Sequence, residues 1–314
     1  MAILADDLLE GVKRRISMPQ SQVLLDDDDI LKFADDVIKS KIVPLYESTA
    51  QEFFVTSTQI TLVASTSEYD IPYRAIGRAL REIKLINTSD TTDIRNLAKV
   101  AIEDIQLFIN ESQVSAFYFK GDRVHLVPDV PSSVSATALE VWYRLAPNKL
   151  VASDEVATVV SIDSATSITV DAVPSSFTSS TPLDFIQAKS GNRIYDIDIT
   201  PTSAGSTSIA FTSGDIPDDL EVGDYIALAG YSPVVNLISD DAYPYIESCV
   251  SKRCLKAISD YEGAKELDED IADEKKSLLM LLEPRVDGEP TIIINRTGLV
   301  RGNKFSQRRW LYGR

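Results

Sequence analysis

The residues able to do chemistry are few, and their spacing excludes most of it. One histidine, His125, and two cysteines, Cys249 and Cys254, are the soft ligands of a 314-residue chain. A single histidine cannot make an HExxH zinc site. The cysteines stand five apart, a spacing that fits neither a CxxC redox pair nor paired zinc ligands. Free cysteine is among the most buried residue types, so two buried thiols are expected. His125 falls in a predicted strand without a neighbouring His, Cys or nucleophile, which favours packing over catalysis. Asp26 to Asp29 could suggest calcium, but an EF-hand loop needs Gly at its sixth position and Glu at its twelfth. Neither is present, and acids are favoured at a helix N-terminus by its dipole.

Other signatures are equally thin. Neither GxxxxGK[ST] nor GxGxxG occurs. Gly230-Tyr231-Ser232-Pro233-Val234 begins like a nucleophile elbow but lacks the closing glycine. A glycosidase can work with two carboxylates alone. Asp196 and Asp198, two apart in a predicted strand, would then face the same side, although acidic surface strands do this often. The sequence singles out no catalytic pair, so an enzyme is not expected, nor is a cofactor or a bound metal.

Charge is the stronger signal. The chain carries 31 basic and 48 acidic residues, a net −17, which argues against nucleic-acid binding over the whole surface. Residues 291–314, TIIINRTGLVRGNKFSQRRWLYGR, hold six bases and no acid, so an acidic body ends in a basic, aromatic tail. The plain reading of that tail is a disordered solubilising segment. Such segments are usually poor in large apolar residues, whereas this one has Ile292 to Ile294, Phe305, Trp310 and Tyr312. Arg and Trp most often anchor interfaces, so a segment that folds on a partner is the alternative. DNA contact stays open as well, because basic tails also bind nucleic acid.

These residues must be positioned by elements that the patterning outlines. Residues 4–16 read as a short helix. Ile30, Ala34, Val37, Ile38 and Leu45 lie on one stripe of a second, over 27–47. Residues 93–109 suggest a third through Leu97, Val100, Ala101 and Phe108. Strands are expected near 52–63, 81–87 and 137–145. A hairpin is expected over 116–127 around Gly121-Asp122, residues that tolerate the positive φ of tight turns. Residues 153–230 hold 22 Ser or Thr and only two bases, Lys189 and Arg193. Their short β runs at regular spacing suggest a small sandwich or barrel. Two amphipathic helices are expected over 240–283. Length suggests about two domains.

The expected fold is therefore α+β: a helical bundle from both ends of the chain around β structure, with a small inserted β-domain and an extended C-terminal tail. The expected divisions are 1–50 (N-terminal helices), 51–152 (β-rich with one helix), 153–230 (inserted β-domain), 231–290 (helical hairpin) and 291–314 (tail). The start of the chain lacks the uninterrupted apolar run of a secretory signal, since Asp6, Asp7 and Glu10 intervene. No run reaches the length of a membrane span, so synthesis in a host cytoplasm without membrane attachment is expected.

The order of these features resembles the head-to-tail adaptor (connector) proteins of tailed bacteriophages, including the tubular-tail A type. The residues that carry the likeness are a Tyr-x-Ile-Pro turn before a strand (Tyr69, Ile71, Pro72) and an aromatic hairpin ending in proline (Phe117 to Pro128). A strand closing on Tyr-Arg-x-x-Pro (Tyr143, Arg144, Pro147) and an acidic-Tyr-Pro step opening a helical pair (Asp241 to Pro244) complete it. Together they span most of 25–285. The resemblance implies a structural virion protein at the head–tail interface. Such a protein forms a homo-oligomeric ring, commonly of about twelve copies, beneath the portal. It would join the portal protein to tail or neck proteins, with genomic DNA passing through the channel without sequence-specific binding. The segment that docks onto the portal corresponds by position to 291–314, which makes Arg296, Arg301, Lys304, Phe305, Arg308, Arg309, Trp310 and Tyr312 the candidate docking residues. The inserted 153–230 region departs from the smallest members of the family. The competing class is a β-rich ligand- or glycan-binding virion or surface module. Its platform would have to come from Phe177, Phe185, Tyr195, Phe211 or Tyr225.

Overall fold

The computed structural model describes residues 3–17, 25–49, 53–87, 90–111, 113–131, 137–189 and 193–282. The chain opens with three short helices, α1 (Ala5–Arg15), α2 (Asp27–Val37) and α3 (Val43–Thr49), the last two joined by a π-helical turn over Ile38–Ile42. The side chain of Asp26 accepts the backbone N–H of Asp29 at 2.8 Å, so the aspartate run caps α2 and supplies acids to its first turn. α1 buries Ala5, Leu8, Leu9 and Val12, and α2 buries Ile30, Leu31, Ala34 and Val37, each a single helical stripe.

Eight strands follow before the Ser/Thr-rich segment: β1 (Val55–Thr61), β2 (Glu68–Asp70), β3 (Ala75–Asn87), β4 (Asp90–Asn96), β5 (Ala98–Lys99), β6 (Ala116–Lys120), β7 (Arg123–Val127) and β8 (Thr137–Leu145), with the short β9 (Lys149–Leu150) behind them. They form two four-stranded sheets, ordered β1-β8-β3-β4 and β2-β7-β6-β5. One apolar core, including Tyr69, Ile71, Ile83, Phe117, Leu126, Leu139, Val141 and Tyr143, draws on both, so the pair is a small sandwich. Each fully buried Leu or Ile in it contributes about 1.5–3 kcal/mol. The β6–β7 hairpin turns at Gly121, with φ of 65°.

The Ser/Thr-rich segment supplies β10 (Ala157–Ser164), β11 (Ser167–Val170), β12 (Leu183–Ile186), β13 (Ile194–Ile199), β14 (Ser203–Ala204), β15 (Ser208–Ala210) and β16 (Tyr225–Leu228). These make one seven-stranded sheet, ordered β13-β12-β16-β10-β11-β15-β14. β10 pairs β16 through Ala157 and Thr158 and pairs β11 from Val159 onward, with register shifts at Val159/Ser161 and Ile162/Ser164. The sheet closes over its own core, where the rings of Phe185 and Phe211 lie 5.1 Å apart. β17 (Tyr231–Ser232) then pairs β9 in parallel and leads to α4 (Tyr243–Ala257) and α5 (Tyr261–Leu282). The helical core gathers Leu8, Ile30, Ile42, Tyr46, Ile246, Val250, Cys254 and Leu278.

The expected fold class is corrected by this architecture. Among the described residues the chain is mostly β, with seventeen strands in four sheets against five α-helices, and its longest helical stretch is the C-terminal pair α4 and α5. Helices from both ends share one core, but they are the smaller part of a mostly β fold rather than a bundle that organises it. The clearest miss is 93–109, which is strand β4, strand β5 and a 3₁₀ turn over Ile102–Leu107. The apolar spacing there satisfied a helical period. However, the Thr and Ile of β4 favour the extended state, Ile94 pairs with Ile86, and Leu97 is buried in the sandwich core. At the other end, α2 stops at Val37, and α1 to α3 are 11, 11 and 7 residues long. Helices so short depend on the surface they cover.

Candidate functional site

Three sheet edges meet at one cleft. β1, β2 and β13 are each the outermost strand of their sheets. Between them lies a cleft of about 650 Å³. Its apolar lining is Ile60, Ile71, Pro72 and Ile197, with Tyr143 and Tyr73 beside them. Its charged lining is balanced: Arg74, Arg78 and Arg123 face Asp70, Asp122 and Asp198.

The cleft is built on a buried polar node. Asp184 of β12 is fully buried, and its carboxylate takes four hydrogen bonds. Arg74 Nη1 (2.9 Å) and the Asp198 N–H (3.0 Å) donate to Oδ1; Asn148 Nδ2 (2.8 Å) and the Gly230 N–H (3.0 Å) donate to Oδ2. Arg74 also donates to Asn148 Oδ1. A buried ion pair needs this degree of saturation to offset desolvation. The node fixes the turn after β2 against β12, so the sandwich and the seven-stranded sheet share one wall of the cleft.

On that wall Tyr73 is held out into solvent. It is 62 % exposed, yet its hydroxyl donates to Asp198 Oδ1 at 2.5 Å. Loss of solvent around the hydroxyl, and then Asp198 itself, push the phenol above its usual range, so it stays a donor. Arg78 reaches Asp122 Oδ2 at 3.0 Å, and Arg123 bridges Glu68 (3.1 Å) and Asp70 (2.9 Å). Glu68, then Asp70, hold the Arg123 guanidinium above its ordinary value.

Two left-handed non-glycine residues, Arg78 and Asp198, line the cleft. Gly77 (φ 60°) and Arg78 (φ 51°) are left-handed within a bulge that shifts the β3–β8 register between Ala75 and Leu80. Asp198 (φ 60°) is left-handed in β13, where Leu183 and Phe185 face Ile199 and Asp196, so one extra residue is accommodated. That bulge ends the expected equivalence of Asp196 and Asp198. Asp198 joins the cleft, while Asp196 is half-buried, accepts the N–H of Ile197 and has its carboxyl pushed up by burial.

The other sequence candidates resolve as packing. His125 is 5 % exposed and stacks on Tyr118 at 4.9 Å. Ser232, the would-be nucleophile, is fully buried and bonds the N–H and carbonyl of Val234. Cys249 and Cys254 are buried and free, and burial pushes the Cys254 thiol up to about 12. Phe177, Phe185 and Phe211 lie in the β-core and cannot serve as an exposed glycan platform; Tyr195 and Tyr225 are partly exposed. Among the described residues no group of three His, Cys, Asp or Glu could hold a metal ion, and no helix is long and apolar enough to cross a membrane. Arg296, Arg301, Lys304, Phe305, Arg308, Arg309, Trp310 and Tyr312 lie outside the described residues.

Sequence reasoning reached the turn at Tyr69, Ile71 and Pro72 but missed Tyr73, Arg74, Arg78 and Asp184. Gly77 within a strand pattern was the available signal, since an isolated strand glycine marks a bulge or a close approach. No family model matches the chain, and no curated protein matches it.

Proposed function

We propose that this chain is a structural virion protein: a head-to-tail adaptor that assembles as a ring, binds the portal protein through residues 291–314, and continues the DNA channel toward tail or neck proteins. The reading rests on one observation. The residues that carry the connector resemblance fall, in chain order, at the joints of a single folded unit. Tyr69 closes the loop before its strand by accepting the Val63 N–H at 3.0 Å, and Pro72 leads into β3 by accepting the Ala75 N–H at 3.0 Å. The aromatic hairpin is β6–β7 and leads directly into Pro128. Tyr143 and Arg144 close β8. Asp241 lies in the 3₁₀ turn capped by Ser239, and Pro244 sits in the first turn of α4.

The charge distribution is in keeping with that role. An acidic body gives passing DNA few phosphate contacts. The basic, aromatic segment supplies Arg296, Arg301, Lys304, Arg308 and Arg309 to pair with portal acids, and Phe305, Trp310 and Tyr312 to fill pockets. Repetition around a ring would raise avidity roughly 10²–10⁴-fold over one segment. The test is co-sedimentation of purified chain with portal rings. Full-length protein should saturate the rings, and a version ending at Pro290 should not. Equal occupancy by both would remove the docking assignment.

A further inference from the structure

We infer that the cleft between β1, β2 and β13 is a binding site for a neutral saccharide. Three observations carry this, none of them from the docking segment. First, the lining mixes both signs, and each of its guanidiniums is already paired: Arg78 with Asp122, Arg123 with Asp70 and Glu68, and Arg74 with buried Asp184. A cleft of one sign draws the opposite ion; this one leaves no unpaired guanidinium to draw a polyanion. Second, its polar groups are strictly complementary. Arginine only donates and ionised aspartate only accepts. A hydroxyl does both, so an Arg–Asp pair can hold one hydroxyl from both sides. Arg78–Asp122 and Arg123–Asp70 are two such pairs, each about half or more exposed and so open to a ligand. Third, Tyr73 presents a largely exposed ring while its hydroxyl is anchored on Asp198. A ring fixed before binding stacks on an apolar sugar face at little entropic cost.

The dimensions fit. A volume of about 650 Å³ lies within the roughly 300–1,000 Å³ of small-molecule sites, room for a short oligosaccharide. The left-handed Arg78 and Asp198 bring a guanidinium and the Tyr73 anchor to the same opening, and left-handed non-glycine residues collect at ligand clamps. The apolar strip of Ile60, Ile71 and Pro72 can take the ring carbons.

The experiment is saturation-transfer NMR on the full chain with maltotriose, cellotriose and chitotriose as probes, and with hexaglutamate and hexalysine peptides as charged competitors. At least one trisaccharide should bind. Tyr73→Ala should weaken it by at least about tenfold, and Tyr73→Phe, which keeps the ring but loses its anchor on Asp198, should weaken it measurably but by less than Tyr73→Ala. Asp122→Asn should weaken binding too, since it removes an acceptor. Both positions are surface-exposed, and circular dichroism checks that each variant folds. The proposal is overturned if no trisaccharide binds at millimolar concentration, if binding ignores Tyr73→Ala, or if a charged peptide binds in the cleft in place of the sugars.

Discussion

Replacing Asp184 by alanine removes the acceptor for four donors at once. The Arg74 charge is left 7 % exposed, with Asp198 at 3.8 Å as its remaining carboxylate partner among the described residues. Breaking a buried pair from one side costs about 3–5 kcal/mol. For a long chain, at about 2 °C per kcal/mol, that is a fall in Tm of roughly 6–10 °C. The reverse truncation, Arg74→Ala, should cost less, because Asp184 keeps the N–H groups of Asp198 and Gly230 and the amide of Asn148. The double variant should cost less than the two singles combined, by on the order of 1–3 kcal/mol. Urea unfolding of the four proteins at pH 7.5 gives all of these numbers. If Asp184→Ala loses under about 1 kcal/mol, or if the two single costs simply add, the node does not couple the sandwich to the seven-stranded sheet.

Further outcomes follow from other parts of the fold. Burial pushes the Asp35 carboxyl up to about 6 while it accepts the Leu150 N–H at 2.9 Å. The folded state therefore holds a proton that the unfolded chain releases near pH 4. Its contribution is fully present below that pH and is lost as pH rises through about 6. Asp35→Asn should flatten this slope and stabilise the protein at pH 7.5 by on the order of 1–3 kcal/mol, measured by urea melts between pH 4 and 8. A Cβ on Gly11 would stand 2.5 Å from the Tyr243 hydroxyl. Gly11→Ala should thus destabilise by about 1–3 kcal/mol, against the usual helical gain, and adding Tyr243→Phe should recover much of it in thermal melts. Both thiols are buried, so Cys249 and Cys254 should resist a thiol reagent at pH 8 and both should react once the chain is unfolded in denaturant.

Local pattern made much of this chain legible. The β6–β7 hairpin was readable because alternation and Gly121-Asp122 agree, and β8 because its period of two runs unbroken from Leu139 to Leu145. α4 and α5 were readable from two long apolar stripes. The balance of the fold was not, because short strands such as β2, β5, β14 and β17 carry too few residues to show a period. In 93–109, apolar spacing mimicked a helix until pairing with β3 overrode it. The cleft was legible only in fragments. Tyr73, Arg74 and Arg78, then Asp122, then Asp198 come from three separate stretches, and pairing alone brings them together. The bulges at Gly77–Arg78 and Asp198 also break the alternation from which side-chain direction is read.

A virion adaptor docked through its basic segment, as proposed, should carry the portal and its tail partners with it. The most direct measurement is affinity capture of tagged full-length chain, and of a version ending at Pro290, from an infected lysate, read by quantitative mass spectrometry. Portal and tail proteins should co-purify with the full chain, and the portal should be lost with the shortened one. If neither version retrieves virion proteins, the adaptor reading is contradicted.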